Sequence, residues 1–147
     1  MIPKKGYSQL RKGRSSSRGQ IYHIILKTNN RQPIFSNFYH ARCFIKQLKI
    51  EEHDQHCNTY CFMVMPDHVH WLVAITKLEL PKLVQRVKSL TTKRIGKRIW
   101  QSGFYDHGIR NDEKLVTVAR YIVANPLRAG LVEKVGDYPH WDSIWMK

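Results

Sequence analysis

Apolar positions along the chain change their period several times, and each change marks an element. Residues 21–28, Ile21-Tyr22-His23-Ile24-Ile25-Leu26-Lys27-Thr28, form a β-rich run that ends at the turn pair Asn29-Asn30. Over 38–52, Phe38, Ala41, Phe44, Ile45 and Leu48 recur at intervals of three and four, which predicts an amphipathic helix. Residues 59–65 read as a buried strand that Pro66-Asp67 breaks, and 68–75 read as another, so the two predict an antiparallel hairpin. Pro81 opens a long basic helical pattern over 80–99, carried by Leu83, Val84, Val87, Leu90, Ile95 and Ile99. A short strand is expected at 104–110. Asn111 or Asp112 then caps a helix that runs to Asn125 and stops before Pro126.

Strand, helix, strand, strand, helix, strand is the split βαβ order. It predicts an α+β fold: a ferredoxin-like or RRM-like antiparallel sheet with helices on one face and an additional C-terminal helix. The other face of such a sheet is expected to be free to carry a site. Residues 1–19 stand apart, being basic, rich in Gly and Ser, and without apolar period. They predict a flexible arm, with residues 20–147 as a single domain. The arm is either a solubilising tail or a DNA-gripping segment, in which Arg11, Lys12, Arg14, Ser15 and Arg18 would meet phosphates or base edges.

Charge narrows the partner. The chain has 25 Lys and Arg against 11 Asp and Glu, a formal net charge of +14. A field of that sign attracts polyanions, so nucleic acid is the expected partner. Lys82, Arg86, Lys88, Lys93, Arg94, Lys97 and Arg98 would let the long helix track a phosphate backbone, although a charge run is commonly just a solvated face. Cys57 and Cys61, with His53 and His56 upstream, raise a zinc cluster. Cys61 lies inside an apolar strand, where a buried reduced thiol is the commoner state, and three cysteines without a framework suit a reducing compartment. No membrane span and no leader are expected, so the reading is a cytoplasmic, bacterial nucleoid-associated protein, monomeric or weakly dimeric.

Two local patterns carry chemistry. In His68-Val69-His70, residues i and i+2 of a strand point to one face, so the imidazoles project together as a metal chelate would need. Two surface histidines at a strand start would give the same pattern. Tyr121 lies off the apolar stripe of Leu115, Val118, Ala119 and Ile122, in line with Asn125 one turn later. The phenol and the carboxamide can then converge, and the Asn oxygen suits Mg²⁺ or Mn²⁺. Core packing with the hydroxyl at the rim is the competing use of a helical tyrosine.

Met65-Pro66-Asp67-His68-Val69-His70-Trp71, then Trp100-Gln101 with Tyr105-Asp106-His107 and Arg110, then Tyr121-Ile122, Asn125-Pro126 and Arg128-Ala129-Gly130-Leu131-Val132 resemble the REP-associated tyrosine transposases. These are domesticated relatives of the single-tyrosine insertion-sequence transposases. Gly13-Arg14-Ser15, Gly19 and Tyr22-His23 extend the resemblance over nearly the whole chain. It implies that His68 and His70 form the HUH pair on a divalent cation, Mg²⁺ or Mn²⁺, with Asn125 as a further ligand. It implies that Tyr121, on the C-terminal helix, attacks a DNA phosphate through a 5′-phosphotyrosine. It also implies single-stranded DNA folded into REP-type hairpins as substrate, with Arg14 and Ser15 reading the foot of the hairpin. The alternative is a ferredoxin-like nucleic-acid-binding module without chemistry, stacking bases on Tyr22, Phe104 or Tyr105. A third reading is a metal-dependent phosphoesterase that leaves no covalent adduct.

Overall fold

Alternation along the first strand decides how the sheet is faced. The computed structural model describes residues 19–110 and 112–146. In β1 (Ile21–Lys27), Tyr22, Ile24 and Leu26 are buried, while His23, Ile25 and Lys27 on the other face are half-buried. The chain continues through α1 (Phe38–His53), β2 (Cys57–Met65), β3 (His68–Ile75), α2 (Leu80–Ile95) and β4 (Tyr105–Ile109). Then follow α3 (Asp112–Val123), a single turn α4 (Asn125–Arg128) and β5 (Trp141–Ser143). The sheet order is β4-β1-β3-β2-β5 with all neighbours antiparallel, so the first four strands have the ferredoxin-like order expected from the pattern.

Two helix ends and one added strand differ from the reading of the sequence. The α2 helix stops at Ile95 because Gly96 takes the left-handed conformation (φ 90°) and its N–H returns to the Thr92 carbonyl at 2.8 Å. Ile99 is buried beyond the helix, from a segment bridged to β1 through Thr28 and Trp100, which is why it continued the apolar pattern. The third helix ends at Val123, not Asn125, and the chain turns into α4. Finally, β5 adds an edge to the sheet that the sequence pattern did not signal.

Both faces of the sheet are packed. On one, Ile24, Leu26, Phe62, Val64, Val69, Trp71, Val73 and Ile75 meet Ala41, Phe44, Ile45 and Leu48 of α1 and Leu80, Leu83, Val84 and Val87 of α2. Each such side chain contributes roughly 1.5–3 kcal/mol when fully buried. Trp71, the largest of them, donates its indole N–H to Thr59 Oγ1 at 3.0 Å. The second face was expected to be open. Instead Leu115, Ala119, Ile122 and Val123 of α3 pack on Cys61, Met63, Met65, Leu72 and Ile109. A bulge makes that possible: Thr59 lies opposite Val73 and Cys61 opposite Leu72, so β2 spends one extra residue at Tyr60 and reverses its facing. Past the bulge, Met63 and Met65 lie opposite His70 and His68 and share their side of the sheet.

The α1–α2 seam holds a buried charge. Glu51 is fully buried and accepts from Arg86 Nε (3.0 Å) and Nη2 (3.3 Å), from Gln47 Nε2 (2.6 Å) and from His56 Nδ1 (2.7 Å). Arg94 donates to Gln47 Oε1 at 3.3 Å, and Lys88 donates to the Gln101 and Gly103 carbonyls, each at 2.9 Å. Three of the seven cations expected to track a phosphate backbone from α2 are therefore engaged inside the protein.

Candidate nucleic-acid strand-transfer site

Pairing β3 between β1 and β2 brings the histidines together. His68 lies opposite Lys27 and His70 opposite Ile25, with His23 two residues further along β1 on the same side. The His68 and His70 ring centroids are 5.1 Å apart, edge to face. The His70 and His23 rings stack at 5.2 Å, and His23 Nε2 is 2.9 Å from His70 Nδ1. His68 Nδ1 donates to Asp67 Oδ1 at 2.7 Å, while Arg31 Nε donates to the other carboxylate oxygen, Oδ2, at 2.9 Å. In both β3 histidines Nδ1 is the nitrogen in these bonds, and Nε2 lies outside them. Metal-ligating histidines commonly have their second nitrogen tied to a carboxylate or carbonyl, as His68 has through Asp67.

Burial keeps these rings uncharged. It lowers His70 to about 2, helped by the neighbouring charges of His23, His68 and Arg128. It lowers His23 to about 4, with a smaller push from His107. His68 is also lowered by burial, against the raising effect of Asp67. Asp67 would be raised by burial, but its bonds from His68 and Arg31 outweigh this and hold it below the usual carboxylate value. A neutral imidazole keeps a lone pair for a cation. Among the described residues no group of three or more His, Cys, Asp or Glu side chains is placed to hold a metal ion.

Pro126 has no N–H for the Ile122 carbonyl four residues back, and Asn125 Nδ2 donates there instead at 3.3 Å. The carboxamide oxygen takes no part in that bond. The same break carries Arg128 round onto Tyr121: its guanidinium carbon lies 3.7 Å from the centre of the phenol ring. Tyr121 is 58% exposed, so core packing does not account for it. The Arg128 charge also contributes, as the smallest of the causes, to the lowered pKa of His70.

Other expectations fall differently. Arg11, Lys12, Arg14, Ser15 and Arg18 lie outside the described residues. Arg110 is exposed immediately past β4. Tyr22 is buried in the core and Phe104 packs against it, so neither is a stacking platform. Cys43, Cys57 and Cys61 are free and buried, and desolvation pushes the Cys57 and Cys61 thiols up to about 12, the reverse of zinc thiolates. His23, Asp67, Arg31 and Arg128 were given no role on sequence grounds. His23 and Arg128 stand in quoted motifs, but their contacts depend on strand register and on the turn at Pro126.

The family model described as transposase, IS200-like, matches residues 16–125, from the run before β1 to Asn125. The chain belongs to the IS200-like transposases. A Haemophilus influenzae REP-associated tyrosine transposase is 29% identical over 56% of this chain and 56% of its own. An Escherichia coli K12 REP-associated tyrosine transposase is 32% identical over 53% of this chain and 49% of its own. The chain thus spans about half the length of the curated relatives it matches. A REP-associated tyrosine transposase solved bound to a REP hairpin superposes with a TM-score of 0.73 at 25% identity, covering 87% of this chain and 79% of that one. The fold is shared with that transposase, and no helix among the described residues is long and apolar enough to cross a membrane.

Proposed function

We propose that this IS200-like transposase nicks and rejoins single-stranded DNA at hairpins of the REP type, with Tyr121 as nucleophile and His68, His70 and Asn125 as ligands of Mg²⁺ or Mn²⁺. The observations that support the reading are the exposed Tyr121 ring under Arg128 and the His68 and His70 rings side by side on β3. The donor set fits a hard divalent cation: two imidazole nitrogens and a carboxamide oxygen. When bound, the cation would polarise the scissile phosphate and offset the charge that builds on it.

The chain's own residues do the rest. The Tyr121 oxygen bonds to phosphorus as the bond to the 3′ oxygen breaks. The phenol loses its proton to solvent, and the departing oxygen takes one up to become a free 3′-hydroxyl. One phosphodiester is exchanged for a 5′-phosphotyrosine ester, so rejoining is the reverse reaction and needs no nucleotide cofactor. Arg128 holds the phenol ring, and His23 and Asp67 orient the two ligand imidazoles. The hairpin substrate is carried over from the DNA-bound relative and agrees with the +14 charge. Such a protein works in the cytoplasm on chromosomal DNA.

The test is incubation with a single-stranded hairpin oligonucleotide and Mg²⁺ or Mn²⁺, followed by denaturing electrophoresis. A covalent protein–DNA band in the wild type is the expected result. Cleavage without an adduct would indicate a phosphoesterase, and binding without cleavage would indicate a module that only binds.

A further inference from the structure

On the outer side of α1, away from the core, Phe38, Arg42, Lys46 and Lys49 are spaced by four, four and three residues and so line one face of the helix. The strip is about 16 Å long at ~1.5 Å per residue. Phe38 is 63% exposed at its head, yet its ring is held: His140 packs against it at 5.2 Å, and the Arg42 guanidinium lies 5.9 Å from its centre. Lys46 and Lys49 are exposed beyond it. The strip stops at Glu52, whose carboxylate is turned to the Thr59 N–H at 2.7 Å.

The head of the strip is tied to the end of the molecule that carries His68. Phe35 N–H, just ahead of α1, donates to the Pro66 carbonyl at 2.9 Å, in the turn that leads into β3. The His140 carbonyl accepts from Val64 N–H at 2.9 Å, on the strand that enters the same turn. The Phe38 end of the strip is thus joined, round the edge of the sheet, to the Pro66-Asp67 turn that precedes His68.

We propose that this strip is a track for the unpaired DNA that flanks the hairpin, with one base stacked on Phe38 and the following phosphates along Arg42, Lys46 and Lys49. The inference rests on the single-stranded DNA reading above and names where that strand runs. Every base offers a π-face to a fixed ring, and cations beside the ring favour a polyanion over an apolar protein partner. At ~3.4 Å of rise per stacked nucleotide, the strip spans roughly four to five nucleotides.

The experiment compares the full chain and its variants on two hairpins at one fixed salt concentration. One is blunt, and the other carries a short unpaired extension containing 2-aminopurine, placed on each side in turn. Phe38→Ala should weaken the extended hairpin about tenfold and abolish the 2-aminopurine quenching seen with wild type, while leaving the blunt hairpin unchanged. Phe38→Trp should restore both. Lys46→Ala with Lys49→Ala should flatten the salt dependence for the extended hairpin only. Equal binding of the extended hairpin by wild type and Phe38→Ala overturns the proposal, and so does an equal loss on both hairpins. The covalent-adduct assay separates the two readings. No wild-type adduct with Phe38-dependent quenching supports the track and removes the chemistry, and an adduct with no effect of Phe38 does the reverse.

Discussion

His70 shows how an ordinary side chain is made specific by what surrounds it. Desolvation and three positive or potentially positive neighbours hold it to a pKa of about 2, and His23 fixes its ring from behind. Replacing His70 or His68 with Ala should remove a cation donor and most of the adduct formation, and EDTA should do the same to the wild type. Adduct formed at the normal rate after chelation would make both histidines structural. Tyr121→Phe removes one oxygen from an exposed ring, so it should abolish the adduct while leaving the thermal midpoint and hairpin affinity near wild type. Arg128 belongs to the same scale. Its flat stacking on the phenol is something lysine cannot copy. Arg128→Ala and Arg128→Lys should therefore both slow single-turnover adduct formation by about 100-fold, the order expected when a reacting group is misplaced by ~1 Å. Full rescue by Lys would show that only the charge matters. That His68 and His70 share a side of the sheet, and that Tyr121 stands outside the core, was legible because strand and helix periods act over a few residues. The partners of His70 and Tyr121 were not, because His23 reaches His70 only through the β1–β3 register, and Arg128 reaches Tyr121 only through the turn at Pro126.

Among elements, long periodic segments were read to within a few residues, and short or interrupted ones were not. The β5 strand is three residues long, too few for a period to show, and it is made by pairing with Cys61, Phe62 and Met63. The break after Val123 came two residues late in the sequence reading because Pro126 was taken as the stop. The proline lacks the N–H that the Ile122 carbonyl would accept, the Asn125 amide takes its place, and the helix ends before it. Glu51 gives the α1–α2 seam a measurable signature. Burial alone would raise its carboxyl, but the bonds from Arg86, His56 and Gln47 outweigh this and hold it below the ordinary glutamate value. A depressed folded-state value contributes stability above the unfolded value of ~4.3, and that contribution is lost as the pH falls through it towards the folded value. The thermal midpoint of wild type should therefore drop more steeply below about pH 4.3 than that of Glu51→Gln. Parallel curves for the two proteins would mean that Glu51 titrates alike folded and unfolded.

At the scale of the whole molecule, charge is distributed unevenly along the chain, and its distribution separates two kinds of DNA contact. Residues 1–19 carry Lys4, Lys5, Arg11, Lys12, Arg14 and Arg18 and no acidic side chain, so deleting them takes the formal charge from +14 to +8. The remaining domain keeps exposed cations at Lys46, Lys49, Lys82, Lys93, Lys97, Arg98 and Arg110. An arm that acts only through charge would weaken binding to every DNA alike and lower the dependence on salt, because fewer counterions are released. An arm that reads bases does more, and the Gly13 and Ser15 flanks of Arg14 allow the backbone to approach a base closely while the guanidinium reaches an edge. Arg14→Ala should therefore cost roughly 1–3 kcal/mol on a hairpin with the cognate foot and much less on one whose foot is scrambled. Lys4→Ala with Lys5→Ala should lower both affinities together. Titrations at one fixed salt concentration decide the matter: equal losses on the two hairpins for Arg14→Ala would reduce the arm to a tether, leaving sequence preference to the folded domain.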